Sequence, residues 1–180
     1  MRTIHLLCGA PGSGKTTWAN SHKALGARVV SRDEVRDQLR RHYNSSEYFP
    51  VSKEEEYRAW IFACASAMVS HPEVEHFYFD QTSVSNSSII KFFNTLSEVY
   101  GEAGNFQLEL DLFDVPLEVC EERNAQREGF KRVPNKIIRE MHTQIQFLNF
   151  NRIKEHIECD RLNIRTINAD GEVTTSRWIE

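Results

Sequence analysis

Gly9-Ala10-Pro11-Gly12-Ser13-Gly14-Lys15-Thr16 is the stretch on which the reading of this chain turns. It fits G-x-x-x-x-G-K-[ST], a pattern in which each fixed residue has a physical task. Glycines let the backbone take angles that side chains forbid. Successive N–H groups then point inward as an anion nest, and the helix that follows adds its positive end. Lys15 is placed to reach the β- and γ-phosphates of a nucleotide, and the Thr16 hydroxyl to ligate Mg²⁺. The flanks agree: Thr3–Cys8 reads as a buried strand directly before the loop, and Lys15–Lys23 as a helix directly after it. The residues expected to hold ATP are therefore Gly9, Gly12, Ser13, Gly14, Lys15, Thr16 and Thr17, with Thr16 as the metal ligand. The cradle alone does not separate a kinase from an NTPase switch or motor.

Working outward, apolar runs alternate with helical patterns along the whole chain. Strands are expected at Ala27–Ser31, His76–Asp80, Phe106–Phe113 and Leu162–Ile167, all short and nearly all apolar. Helices are expected at Asp33–Arg41, from Ser52 to about Ser70, at Asn86–Tyr100 with a stop at Gly101, from Pro116 to about Arg127, and at Pro134–Asn149. Ser52 with Glu55 three residues on makes a capping box. Pro116 suits a first helical position, with Asp114 as a cap. Asn168–Gly171 signals a turn before the tail. Such alternation predicts an α/β fold with a mostly parallel sheet of four or five strands covered by helices on both faces. Its 180 residues make a single domain, with a C-terminal extension over about 150–180.

The ends of the strands carry the remaining candidates, because strand C-termini of an open α/β sheet border one crevice. Asp33 lies just past the second strand, where a carboxylate accepts a proton from an acceptor hydroxyl. Arg36, three residues on, shares its helix face. The plainer alternative is a helix cap with a salt-bridged arginine. The third strand ends in Asp80-Gln81-Thr82-Ser83, which offers Asp80 to the magnesium shell and Thr82 to substrate, or else caps a helix. Arg123 and Arg127 are spaced i, i+4 and run into a charged loop with Lys131 and Arg132. Their forks suit phosphate oxygens, so a lid over about 123–134 is expected; a solvated face paired with Glu121, Glu122 and Glu128 is the alternative.

The order GAPGSGKTTW, VSRDEVR, DQTS, LFDVPLEVCEERNAQR and KRVP resembles the kinase domain of bacteriophage 5′-hydroxyl polynucleotide kinases, over residues 3 to 148. The resemblance implies a P-loop kinase fold with an arginine-bearing lid. It implies that Lys15 and Thr16 bind ATP phosphates and magnesium, that Asp33 is the general base for a 5′-hydroxyl, and that Arg36 holds the acceptor's neighbouring phosphate. Arg123 and Arg127 would be lid arginines, with Arg127 on transition-state charge, and Val133 and Pro134 would lie beside the nucleotide. The acceptor would be a short or end-exposed DNA or RNA strand. Two departures stand out. Gln81 separates Asp80 from Thr82, and Ser83 stands where asparagine is usual. No D-x-D-x-[TV] phosphatase pattern follows, so 3′-phosphate removal, like ligation, falls to a separate phosphatase or ligase. A kinase of a nucleoside, a nucleotide or a hydroxylated DNA base shares the same parts; a P-loop ATPase switch is a more distant reading.

Composition bounds these readings. Hydrophobic residues make up 40% and charged residues 27% of the chain, and net charge is −4. That argues against a broad DNA-coating surface but not against a local basic pocket. Cys8, Cys64, Cys120 and Cys159 form no C-x-x-C pair, which fits idle thiols in a reducing cytosol. The apolar run Ile4–Cys8 is too short for a signal peptide, and no segment reaches ~20 apolar residues. A cytoplasmic, non-membrane protein is expected. The stretch after Asn149 is expected to cover a sheet edge or to form a contact within a homo-oligomer.

Overall fold

The first strand, β1 (Thr3–Cys8), is buried along its whole length and sits inside a six-stranded sheet. The computed structural model describes residues 2–100, 106–157, 159 and 161–179. The other strands are β2 (Arg28–Ser31), β3 (His76–Asp80), β4 (Gln107–Phe113), β5 (Leu162–Ile167) and β6 (Val173–Ile179). They lie in the order β2-β3-β1-β4-β5-β6. All neighbours are parallel except β5 and β6.

Side chains alternate between two cores, as the period of two requires. Leu6, Phe77 and Phe79 face one layer, formed by α2 (Arg32–His42), α3 (Lys53–Ser70), α4 (Asn86–Tyr100) and α7 (Phe150–His156). Leu7 and Tyr78 face the other, formed by α1 (Lys15–Lys23), α5 (Leu117–Ala125) and α6 (Asn135–Ile145). Helices therefore cover both faces, as a parallel sheet demands. The acidic residues within β4 are paired with Arg165. Asp111 accepts from Arg165 Nε at 2.7 Å, and Glu109 pairs with the same nitrogen at 2.9 Å. No helix among the described residues is long and apolar enough to cross a membrane.

Beyond shifts of one residue at the ends of β2, α2 and β4, the structure departs from expectation in three places. The helix from Pro134 does not run to Asn149; α6 ends at Ile145, and Asn149 caps α7 by accepting from the Arg152 N–H at 3.0 Å. An asparagine side chain competes for backbone groups and so restarts the chain as a new helix. Pro116 caps α5 from outside rather than opening it, Asp114 makes no cap hydrogen bond there, and the helix stops at Ala125, before Arg127. The tail adds a sixth strand to the expected four or five. Val173–Ile179, rich in β-branched residues at its start, pairs antiparallel with β5 across the Asn168–Gly171 turn. The capping box on α3 is present, with Ser52 and Glu55 each accepting from the other's backbone N–H. The expected stop at Gly101 lies outside the described residues.

Candidate active site

Strand order assembles the site. β3 lies between β1 and β2, so its last residue stands between the phosphate loop and the start of α2; Ser31 and Asp80 are register partners. The chain reverses its direction of growth across the sheet at β1, which is where an open α/β sheet leaves a crevice. A cleft of about 360 Å³ opens there, lined from the loop by Gly12, Gly14, Lys15 and Thr16.

Gly12 has φ +87°, and a Cβ on it would lie 2.2 Å from the Cys120 carbonyl oxygen, so only glycine fits. α1 opens on Gly14 with no side-chain cap, which leaves its first-turn amides for an anion. The Lys15 ammonium is buried and donates to the carbonyls of Gly9 at 2.8 Å and Ala10 at 2.9 Å. Burial lowers its pKa, and Asp80 pulls it back up. Asp80 is raised by burial, with Lys15 and the Thr16 hydrogen bond opposing. Thr16 Oγ1 donates to Asp80 Oδ2 at 2.5 Å. A hydroxyl beside a carboxylate is an all-oxygen donor set that fits Mg²⁺. Ser13 is buried within the loop, whereas Thr17 is exposed on α1, outside the cleft wall.

Asp33 lies in the first turn of α2, not at its cap, which is Ser31. Its carboxylate is exposed to the cleft and accepts from Arg36 Nη1 at 2.7 Å. The same nitrogen donates to the Tyr48 hydroxyl at 2.9 Å. Behind them Glu56, on α3, is fully buried. It takes both fork nitrogens of Arg32, at 2.9 and 2.6 Å, and pairs with Arg36 Nε at 2.9 Å. Arg32 also donates to Gln81 Oε1 at 3.2 Å. Arg36 is thus held by three protein groups rather than free. Thr82 is exposed at the cleft. The sequence reading does not single out Glu56, Arg32 or Tyr48 as site residues, and it marks Gln81 only as a departure from the motif it resembles. The i, i+4 spacing of Arg32 and Arg36 was a signal; Glu56 was hidden in Glu54-Glu55-Glu56, where first-turn acids are ordinary.

The lid side separates the two arginines. Arg127, Lys131 and Val133 line the cleft, together with Phe130 on a 3-10 turn at Gly129–Lys131. Arg123 does not line it; its Nη2 donates to the Ala169 carbonyl at 2.9 Å, and its Nη1 lies close to Gly14. The buried Asn124 clasps the far end of the loop after α5, donating to the Val133 carbonyl at 2.7 Å and accepting from its N–H at 3.0 Å.

Comparison with known proteins bears on the whole fold. A model of the AAA domain family AAA_33 matches residues 4–148. The chain belongs to that family. All the cleft residues named above fall within the matched AAA domain, while the β5–β6 hairpin falls outside it. A sugar kinase from Janibacter sp. HTCC2649 superposes with a TM-score of 0.55 at 15% identity, over 96% of this chain and 88% of its own. A gluconokinase from Sinorhizobium meliloti 1021 gives 0.51 at 17%, over 93% and 82%. Deoxyadenosine kinase from M. mycoides gives 0.52 at 13%, over 94% and 92%. This AAA domain shares their fold.

Proposed function

We propose that the chain is a P-loop phosphotransferase that moves the γ-phosphoryl group of ATP to a hydroxyl of a small acceptor. The observation that carries this is the shared cleft: Lys15 and Thr16 form one wall, and the Asp33 carboxylate opens into the same space from α2. Asp33 accepts the hydroxyl proton, the acceptor oxygen bonds to the γ-phosphorus, and the bond to the β,γ-bridging oxygen breaks, leaving ADP. Lys15 and Arg127 neutralise charge on the phosphates, and Arg123 steadies the end of α1 from outside the cleft. Thr16 and Asp80 would hold magnesium, which supplies charge neutralisation between the β- and γ-oxygens. The resemblance to sugar, nucleoside and gluconate kinases in fold supports a small acceptor. The internal pairing of Arg36 supports it further, since that side chain is not waiting for a phosphate.

A second reading, transfer to the 5′-hydroxyl of a polynucleotide, keeps the support of the motif order from GAPGSGKTTW to KRVP. An acceptor panel separates the two. Asp33→Asn is expected to lower turnover by about 100-fold or more, the scale of general-base catalysis, while ATP affinity by calorimetry stays within twofold. Full activity in that variant would remove Asp33 from the reaction.

A further inference from the structure

Two features at the acceptor end of the cleft bear on the molecule that enters it. The first is charge. Arg32 and Arg36 are both held by Glu56, Arg36 also by Asp33, and Arg40 is paired with Asp37. Glu34 adds another carboxylate to the wall. Four carboxylates thus meet three guanidiniums, and the surplus is negative. An acceptor carrying phosphate or carboxylate would find Arg32 or Arg36 only in competition with the buried Glu56, and Arg40 only in competition with Asp37. Among the described residues, Arg127 and Lys131 make no ion pair, and they belong to the lid side with Lys15.

The second feature is shape. Tyr48, from the connection after α2, and Phe130, from the lid, stand 6.0 Å apart between ring centroids. Both line the cleft, and they keep 37% and 52% of their surface exposed. Arg36 lies over the Tyr48 ring and Arg40 over the Phe130 ring, so each ring is backed by a guanidinium from α2. Paired exposed rings beside a negatively charged wall suit a flat, uncharged partner. Stacking of a base on one aromatic side chain is worth about 1–3 kcal/mol, with little regard to which base it is.

We propose that, given the kinase reading above, the acceptor is an uncharged hydroxyl compound with a flat heteroaromatic ring, a nucleoside-class molecule. Tyr48 and Phe130 hold the ring, and the hydroxyl lies beside Asp33, where the transfer proceeds as written above. Transfer of radiolabelled γ-phosphate would be followed to free nucleosides, nucleoside monophosphates, gluconate and a 5′-hydroxyl oligonucleotide. The proteins compared are the wild type, Tyr48→Ala, Tyr48→Phe and Phe130→Ala. Free nucleosides are expected to be preferred in kcat/KM. Each alanine variant is expected to raise the nucleoside KM about tenfold with kcat held, the lower part of the stacking range. Tyr48→Phe keeps the ring but loses the hydrogen bond from Arg36, and is expected to raise the KM less than Tyr48→Ala does. Preference for a nucleoside monophosphate or gluconate overturns this inference and leaves the small-acceptor kinase reading standing; preference for the oligonucleotide overturns the inference and the small acceptor together. Nucleoside transfer that neither alanine variant weakens overturns this inference alone. Hydrolysis of ATP with no acceptor labelled overturns the inference and the kinase reading.

Discussion

Lys15 and Asp80 are buried within one site, and burial shifts each against its charged form. An acid held above its ordinary value of 3.8 favours its protonated state in the fold. The stability this adds is complete below 3.8 and is lost as pH rises through the folded value. Asp80→Asn has no such loss. Its melting temperature is therefore expected to gain on the wild type as the buffer is taken from about pH 4 to about pH 7; a constant gap would show that Asp80 titrates as an exposed acid does. Glu56 supports the neighbouring side of the cleft. Glu56→Ala leaves two arginines without their buried counter-ion, at a cost of about 3 kcal/mol. That corresponds to a melting point lower by roughly 6–12 °C for a chain of this size. The same variant is expected to raise the acceptor KM, because Arg36 loses the contact that steadies Asp33.

The segment from Gln126 to Val133 is pinned at its far end. Both hydrogen bonds between Asn124 and Val133 are lost in Asn124→Ala, at about 1 kcal/mol each. kcat/KM for ATP is expected to fall about tenfold, and limited proteolysis between residues 126 and 132 to speed up; unchanged proteolysis would place the restraint elsewhere. Elements with an unbroken apolar pattern and a hard stop were plain in the sequence. β1, α1, β3 and α4 begin and end where Gly14, Asp80 and the apolar runs put them. α6 was read too long because Leu148 and Phe150 continue the apolar pattern across the new cap at Asn149. β6 gives a weak strand signal because Val173 is the one apolar residue before Trp178 and every residue through Trp178 is exposed. In the site, the loop and Asp33 were legible from local spacing. Glu56 and Tyr48 were not, because their partners lie 20 and 12 residues from them along the chain.

At the scale of the molecule, sheet order does what no single element can. It sets β3 between β1 and β2 and so brings residues 15, 33 and 80 to one crevice. The other end of the sheet is tied to the same place. The Trp18 indole N–H donates to the Gly171 carbonyl at 3.0 Å, and Arg123 holds the neighbouring Ala169 carbonyl. Gly171 has φ +83°, and a Cβ there would press on Trp18 at 3.2 Å. Gly171→Ala is expected to cost about 1–2 kcal/mol in stability and, by calorimetry, to weaken ATP binding a few-fold; full affinity would uncouple the two regions. The turn between β5 and β6 thus acts as a strut under α1, whose first-turn amides face the cleft proposed above to take the nucleotide. Substitutions more than 150 positions from the glycine loop would register there as changes in grip on the triphosphate, and an affinity screen confined to the motif would overlook them.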